Sequence, residues 1–249
     1  MKRVLSLFIL ITLFFSTTLA FGAKAKKKKP KKTKQKIEVL TKDKFILAGD
    51  IYLSSTPSNK PLVVLVHSFS MNALSWATLA QNLREKGYNV VAMDLRGHGR
   101  SVYNEKLKYK SRYNFKDSDW QKLPSDIQDT IKYVKDNFSK IDTTHTILVG
   151  ADVGANACAL AGSMMKIPPQ KLVLISPMYE FKGLKMPTKT LRFQESKLML
   201  VLSKSDKLFF SLNTKTPPVV KKYPLGGPGM QLIKANKSAV FDIVNFIIN

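Results

Sequence analysis

From residue 37 onward, short apolar runs alternate with stretches of helical periodicity. Residues 62–66 are apolar throughout, the pattern of a strand covered on both faces. Residues 37–40 and 45–53 read as an opening pair of strands about a turn at 42–44, and 89–93, 146–149, 172–175, 198–202 and the shorter 219–223 as further strands. Residues 73–86 put Leu74, Ala77, Leu79, Ala80 and Leu83 on helical spacing and stop at Gly87. A second helix at 124–138 starts on proline and buries Ile127, Ile131, Val134 and Phe138. Residues 153–165 and 235–248 complete the helices, and the polar stretch 104–123 reads as a long surface loop. Strands alternating with helices predict the α/β class: a mostly parallel central sheet with helices on both faces. Only residues 177–196 separate two of the strands, which leaves no room there for a large lid domain.

The first residues follow a different pattern. Lys2 and Arg3 precede an apolar run at 4–15 broken only by Ser6 and Thr12, and small residues follow. This is the layout of an export signal, with Ala20 and Gly22 suited to the −3 and −1 positions of a cleavage site. Cleavage after Ala20 fits as well, and an uncleaved anchor is the other reading. Residues 24–36, opening on Lys24 and closing on Lys36, then hold nine lysines and no acid. Such a block repels itself and is expected to be disordered. The chain thus divides into a signal at 1–22, a lysine-rich tail at 23–36 and a folded domain at 37–249, which implies export to the periplasm or beyond, with membrane association open.

Charge extends beyond the tail. Of 41 basic residues, two precede the apolar run and nine lie in the lysine block, while all 17 acids lie from Glu38 onward, leaving the domain at +13. An anionic envelope polymer or membrane surface is a candidate partner for the tail, alongside a solvated spacer role. No basic-aromatic nucleic-acid motif accompanies the charge, so nucleic acid is not an expected partner. The single cysteine, Cys158, sits in a small-residue helix and reads as core filler. No His, Cys and carboxylate cluster has metal-ligand spacing, and Gly226–Gly229 lacks the Lys and Ser/Thr of a phosphate loop, so neither metal nor cofactor is expected.

Five local motifs fall into one order: His67-Ser68-Phe69 after a buried strand; Asp94-Leu95-Arg96-Gly97-His98-Gly99-Arg100-Ser101 after the next; Val149-Gly150-Ala151-Asp152-Val153-Gly154-Ala155-Asn156 between strand and helix; Ser205-Asp206; and Gly226-Gly227-Pro228-Gly229-Met230 before the last helix. With the phrases Asp119-Trp120-Gln121 and Ile175-Ser176-Pro177, this set resembles the α/β-hydrolase fold, and within it the small, lidless esterase and dienelactone-hydrolase-like proteins of bacteria. The resemblance spans about residues 45–249 and implies a site built on Asp152 and Asp206, with an oxyanion region at His67, Ser68, Phe69 and Val153.

Two positions depart from the family pattern. The elbow Gly-x-Ser-x-Gly carries Asp152 where the nucleophilic serine belongs, with Gly150 and Gly154 in place. The histidine of the last loop corresponds to Pro228, and none of the three histidines, His67, His98 and His145, lies beyond residue 145. His67 and His98 are expected in structural hydrogen bonds and His145 at the opposite edge of the sheet. Asp206 matches the acid of the triad without an imidazole to orient. A helix N-terminus is expected to lower the Asp152 pKa. Two readings follow: a binding protein that has lost hydrolysis, with a cationic or hydroxylated small molecule as ligand, or a hydrolase using Asp152 as nucleophile or base.

Overall fold

The computed structural model describes residues 33–56, 59–187, 197–207 and 217–249. The expected signal at 1–22 and residues 23–32 of the tail lie outside them. Eleven strands and six α-helices follow in order, β1 (Lys34–Leu40), β2 (Phe45–Tyr52), β3 (Pro61–Val66), α1 (Ala77–Glu85), β4 (Val90–Met93), β5 (Tyr103–Asn104), α2 (Asp117–Trp120), α3 (Leu123–Asn137), β6 (Asp142–Ala151), α4 (Val153–Met164), β7 (Lys171–Ile175), β8 (Glu180–Phe181), β9 (Leu184–Lys185), β10 (Lys197–Ser203), β11 (Val219–Tyr223), α5 (Met230–Ala235) and α6 (Lys237–Ile248), among the described residues. Among those residues no helix is long and apolar enough to cross a membrane.

The main sheet runs β1-β2-β4-β3-β6-β7-β10-β11, with β5 paired to the start of β2. From β4 through β11 every neighbour is parallel; β1, β2 and β5 supply the antiparallel end. Both faces are covered, which is why the central strands are apolar at every position. On β3, Leu62, Val64 and Val66 join the core beneath α3 and α4, while Val63 and Leu65 join the core beneath α1 and α6. Burying each such side chain contributes about 1.5–3 kcal/mol, so these strands dominate the stability of the sheet.

The short segment between β7 and β10 carries only the β8–β9 hairpin among its described residues, in keeping with a fold lacking a large lid. Three expectations need correction. The sheet begins at Lys34, inside the stretch expected to be disordered: Lys34–Lys36 pair with Tyr52–Asp50, and Lys34 lies 3.5 Å from the Asp50 carboxylate. A partner strand and an opposite charge outweigh the self-repulsion of those lysines. The stretch 104–123 is not a plain loop, since α2 within it buries Trp120 against Phe69, Phe115 and Phe181. The last helix, expected at 235–248, runs over Lys237–Ile248, and a short helix not foreseen, α5, precedes it: between the two, Asn236 leaves helical geometry and uses its side-chain amide to cap the carbonyls of Leu225 and Leu232.

Candidate functional site

The sheet reverses its winding at β3. The chain passes from β3 to β4 on one side and then returns to β6 on the other. Loops leaving β3 and β6 therefore meet at the carboxyl edge of the sheet, where this class of fold holds its ligands. His67, Ser68 and Phe69 leave β3 there, and Asp152 leaves β6.

Asp152 stands on a sharp bend with φ +56° and ψ −123°, a region costly for any residue but glycine. Both flanking glycines are needed to make that bend. A Cβ on Gly150 would come within 2.2 Å of the Gly154 carbonyl, and one on Gly154 within 2.4 Å of the Val66 carbonyl. The backbone is held from outside by a 2.8 Å bond from Asp152 N–H to the Ile175 carbonyl.

The Asp152 carboxylate turns toward the oxyanion region. The Phe69 N–H donates to its Oδ2 at 3.2 Å, and the N–H of buried Val153 acts on the carboxylate from the start of α4. The Phe69 N–H is thus taken up by the protein's own carboxylate. Burial raises the Asp152 pKa above its ordinary value, and the charge of Asp206 adds to the rise; the two N–H groups oppose it without reversing it. The expected lowering by the helix N-terminus is therefore overturned, because desolvation outweighs the terminal donors.

The surrounding loops are fixed by hydroxyl groups. Asp206 Oδ2 accepts from Ser176 Oγ at 2.6 Å and from the Ser203 N–H at 2.8 Å. Ser176 Oγ accepts in turn from the Gly229 N–H at 2.8 Å, and Ser68 Oγ accepts from the Met230 N–H at 2.9 Å. Pro228 is exposed; the residue seated over Asp152 is Gly229. A Cβ on Gly229, at φ +64°, would meet Ser68 Oγ at 2.5 Å and the Asp152 Cβ at 3.0 Å. Backbone at Gly229 thus fills the ground beside the elbow, next to the exposed Pro228.

Each imidazole is committed elsewhere. His67 is buried, donates from Nδ1 to its neighbour's Ser68 carbonyl at 2.7 Å and accepts the Leu95 N–H on Nε2 at 2.9 Å. Burial, with a contribution from nearby His98, pushes its pKa down to about 3. His98 lies 2.9 Å from the Arg96 carbonyl and 2.7 Å from the Phe69 carbonyl, and burial lowers its pKa too. His145 is exposed at the start of β6, 3.0 Å from Asp142. None of the three hydrogen-bonds to Asp152.

Two positioning residues stood within the sequence motifs without a role assigned to them. Asn156, buried in α4, donates to the carbonyls of Met178 and Leu184 and accepts the Met178 N–H, tying the β8–β9 hairpin to the elbow helix. Ser176 appeared only within the Ile-Ser-Pro phrase; its bridge between Asp206 and Gly229 joins residues too distant in sequence for any local pattern to reveal. Cys158 is buried, as expected of core filler, and burial raises its pKa.

Comparison with known proteins agrees with this architecture. Residues 57–224 match the serine aminopeptidase S33 family. A putative non-heme chloroperoxidase from Synechocystis is 29% identical over 133 residues, covering 53% of this chain and 42% of that protein, so the chain matches less than half of that relative's length. A predicted CIB-like hydrolase from Thermoplasma acidophilum superposes with a TM-score of 0.60 at 20% identity, over 86% of this chain and 97% of that one. An α/β serine hydrolase homologue from Coxiella burnetii gives 0.59 at 16% identity, over 86% and 95%. At such identities the two structures establish the fold, and the sequence match supplies the kinship: the chain belongs to the serine aminopeptidase S33 family of α/β hydrolases.

Proposed function

We propose that this domain acts at the cell envelope by binding, and that acyl transfer by the route common to its fold has been lost. The observation that carries the reading is the 3.2 Å bond from the Phe69 N–H to the Asp152 carboxylate. A hydrolytic elbow presents a hydroxyl to the substrate and keeps its N–H donors free for the charge that develops on the carbonyl oxygen. Here the elbow side chain bears the acceptor that the Phe69 N–H binds. A substrate carbonyl entering the same place would displace a carboxylate already seated there and meet its charge.

The proton economy supports the same reading. Acyl transfer needs a base to take the nucleophile's proton and return it to the leaving group. The nitrogens of His67 and His98 are spent on backbone groups, and Gly229 offers no side chain. Loss of a triad member typically leaves about 10³–10⁴-fold catalysis over water, far below an evolved enzyme. With Asp206 held by Ser176 and Ser203, Asp152 is the group left to meet a cationic or hydroxylated ligand. The apolar run at 4–15 and the lysines that follow support placement at the envelope.

The test uses p-nitrophenyl acetate and butyrate with the wild-type protein and with Asp152→Ala. Both are expected to show the same background rate. Clear wild-type turnover that disappears in Asp152→Ala would establish Asp152 as a working nucleophile or base and end the binding reading.

A further inference from the structure

Away from the elbow, residues 102–110 fold into a tight hairpin whose first arm, β5, pairs with the start of β2. The Lys110 N–H bonds to the Val102 carbonyl at 2.8 Å, and the Asn104 N–H to the Lys108 carbonyl at 3.2 Å. Asn104 closes the turn from within, its side-chain oxygen accepting the N–H groups of Lys106 and Lys108 at 3.0 Å each. The Glu105 N–H bonds to the Lys44 carbonyl at 2.9 Å, bracing the hairpin on the β1–β2 turn. The turn at its tip is thus held by defined bonds.

Its tip carries a residue that nothing within the fold rewards. Leu107 has φ +55° and is 74% exposed. Glycine or asparagine would adopt that backbone with less strain, and a polar residue would suit that exposure. Exposed Lys106 and Lys108 flank it, and Glu105, the acid of the tip, is drawn off toward Lys44 at 3.7 Å. Behind the tip, exposed Tyr103 and Tyr109 pack edge to face at 5.8 Å.

We propose that this hairpin docks on an anionic lipid surface, with Leu107 entering the interface and Lys106 and Lys108 meeting the phosphate-bearing headgroups. A leucine gains only by leaving water, which a hydrated polyanion does not provide and a bilayer interface does. Tyrosines suit the headgroup level, being apolar in body and polar at the tip. Lysines immediately beside the inserted group gain from the negative surface potential, which decays within a Debye length. The set of one apolar tip, two flanking cations and two tyrosines matches that layered environment.

The test is made on the full chain, so that the lysine block at 24–36 is the same in every arm. A Leu107→Cys variant is labelled with the environment-sensitive dye NBD, wild type serving as labelling control because Cys158 is buried. The dye is expected to brighten and shift to the blue with vesicles of 30% phosphatidylglycerol in phosphatidylcholine, and to stay unchanged with phosphatidylcholine alone. In co-sedimentation with the mixed vesicles, Leu107→Asn is expected to weaken binding about tenfold, and Lys106→Glu with Lys108→Glu roughly tenfold or more. Because asparagine relieves the backbone at 107, the Leu107→Asn protein is expected to melt no lower than wild type, which separates lost binding from lost folding. The proposal fails if Leu107→Asn binds like wild type, if the dye stays in water while the protein sediments, if neutral vesicles bind equally well, or if no vesicle binds.

Discussion

His67 shows how one buried side chain can set a pH limit on the whole protein. Its Nε2 accepts the Leu95 N–H, which only the neutral ring can do. With a folded pKa of about 3 against 6.5 for the free group, the unfolded chain binds a proton that the folded one refuses. Its contribution is therefore complete above about pH 6.5 and drains away as pH falls toward 3. Urea midpoints measured from pH 7 to pH 5 are expected to decline, the His67 share approaching about 1.4 kcal/mol per pH unit. His67→Asn, which cannot charge, is expected to be less stable at pH 7 and to lose about one proton's worth of that slope. A slope equal to that of wild type would mean that His67 charges freely in the folded state. Asp152 and Gly229 belong to the same scale: one strained carboxylate and one residue without a side chain decide what the site presents.

Among the elements, β1 marks where folded chain begins. Leu53 donates to the Thr33 carbonyl at 2.9 Å, and the register with β2 runs from Lys34. Deleting residues 24–32 is expected to leave the melting temperature within about 1 °C of wild type, while deleting 24–36 is expected to lower it by several degrees through lost ladder bonds. Differential scanning calorimetry of the two deletions distinguishes them, and equal values would place the lysines of β1 outside the cooperative unit. The same scale explains why α5 and α6 stay separate, since Asn236 between them gives its side-chain amide to the carbonyls of Leu225 and Leu232.

For the whole molecule, Arg96 links parts distant in sequence. Its guanidinium bonds to Asp126 on α3 at 2.6 and 2.5 Å and to Asp43 in the β1–β2 turn at 3.0 and 3.1 Å. Burial pushes the Asp126 carboxyl upward even with Arg96 beside it. On Asp43, partial burial acts in the same sense but is outweighed by donors from Arg96, Lys122 and Thr41, which hold its carboxyl well below the usual range. Arg96→Met is expected to cost about 3–5 kcal/mol in urea denaturation, because it strands a buried carboxylate. Arg96→Met with Asp126→Leu is expected to recover part of that loss, since removing both charges removes the desolvation penalty with them. Additive losses in the double variant would mean that the pair does not act as a unit.

The sequence by itself determined the α/β class, the strand and helix order and the elbow. These rest on local periodicity and on glycines whose spacing makes one particular bend, so the information lies within a few residues of where it is used. It also made Asp152 at the centre of the elbow legible and placed His67 and His98 in structural hydrogen bonds, where the structure has them. The hidden α2 was not legible, because Trp120 finds its partners Phe69 and Phe181 only across the fold. Which residue covers Asp152 was likewise decided by tertiary structure. The place of Gly229 over the elbow depends on the Asp206–Ser176–Gly229 hydrogen bonds, which join three loops. The direction of the Asp152 pKa was decided there too. A helix N-terminus can be read from sequence, but the desolvation that outweighs it exists only once the surrounding chain has closed around the carboxylate.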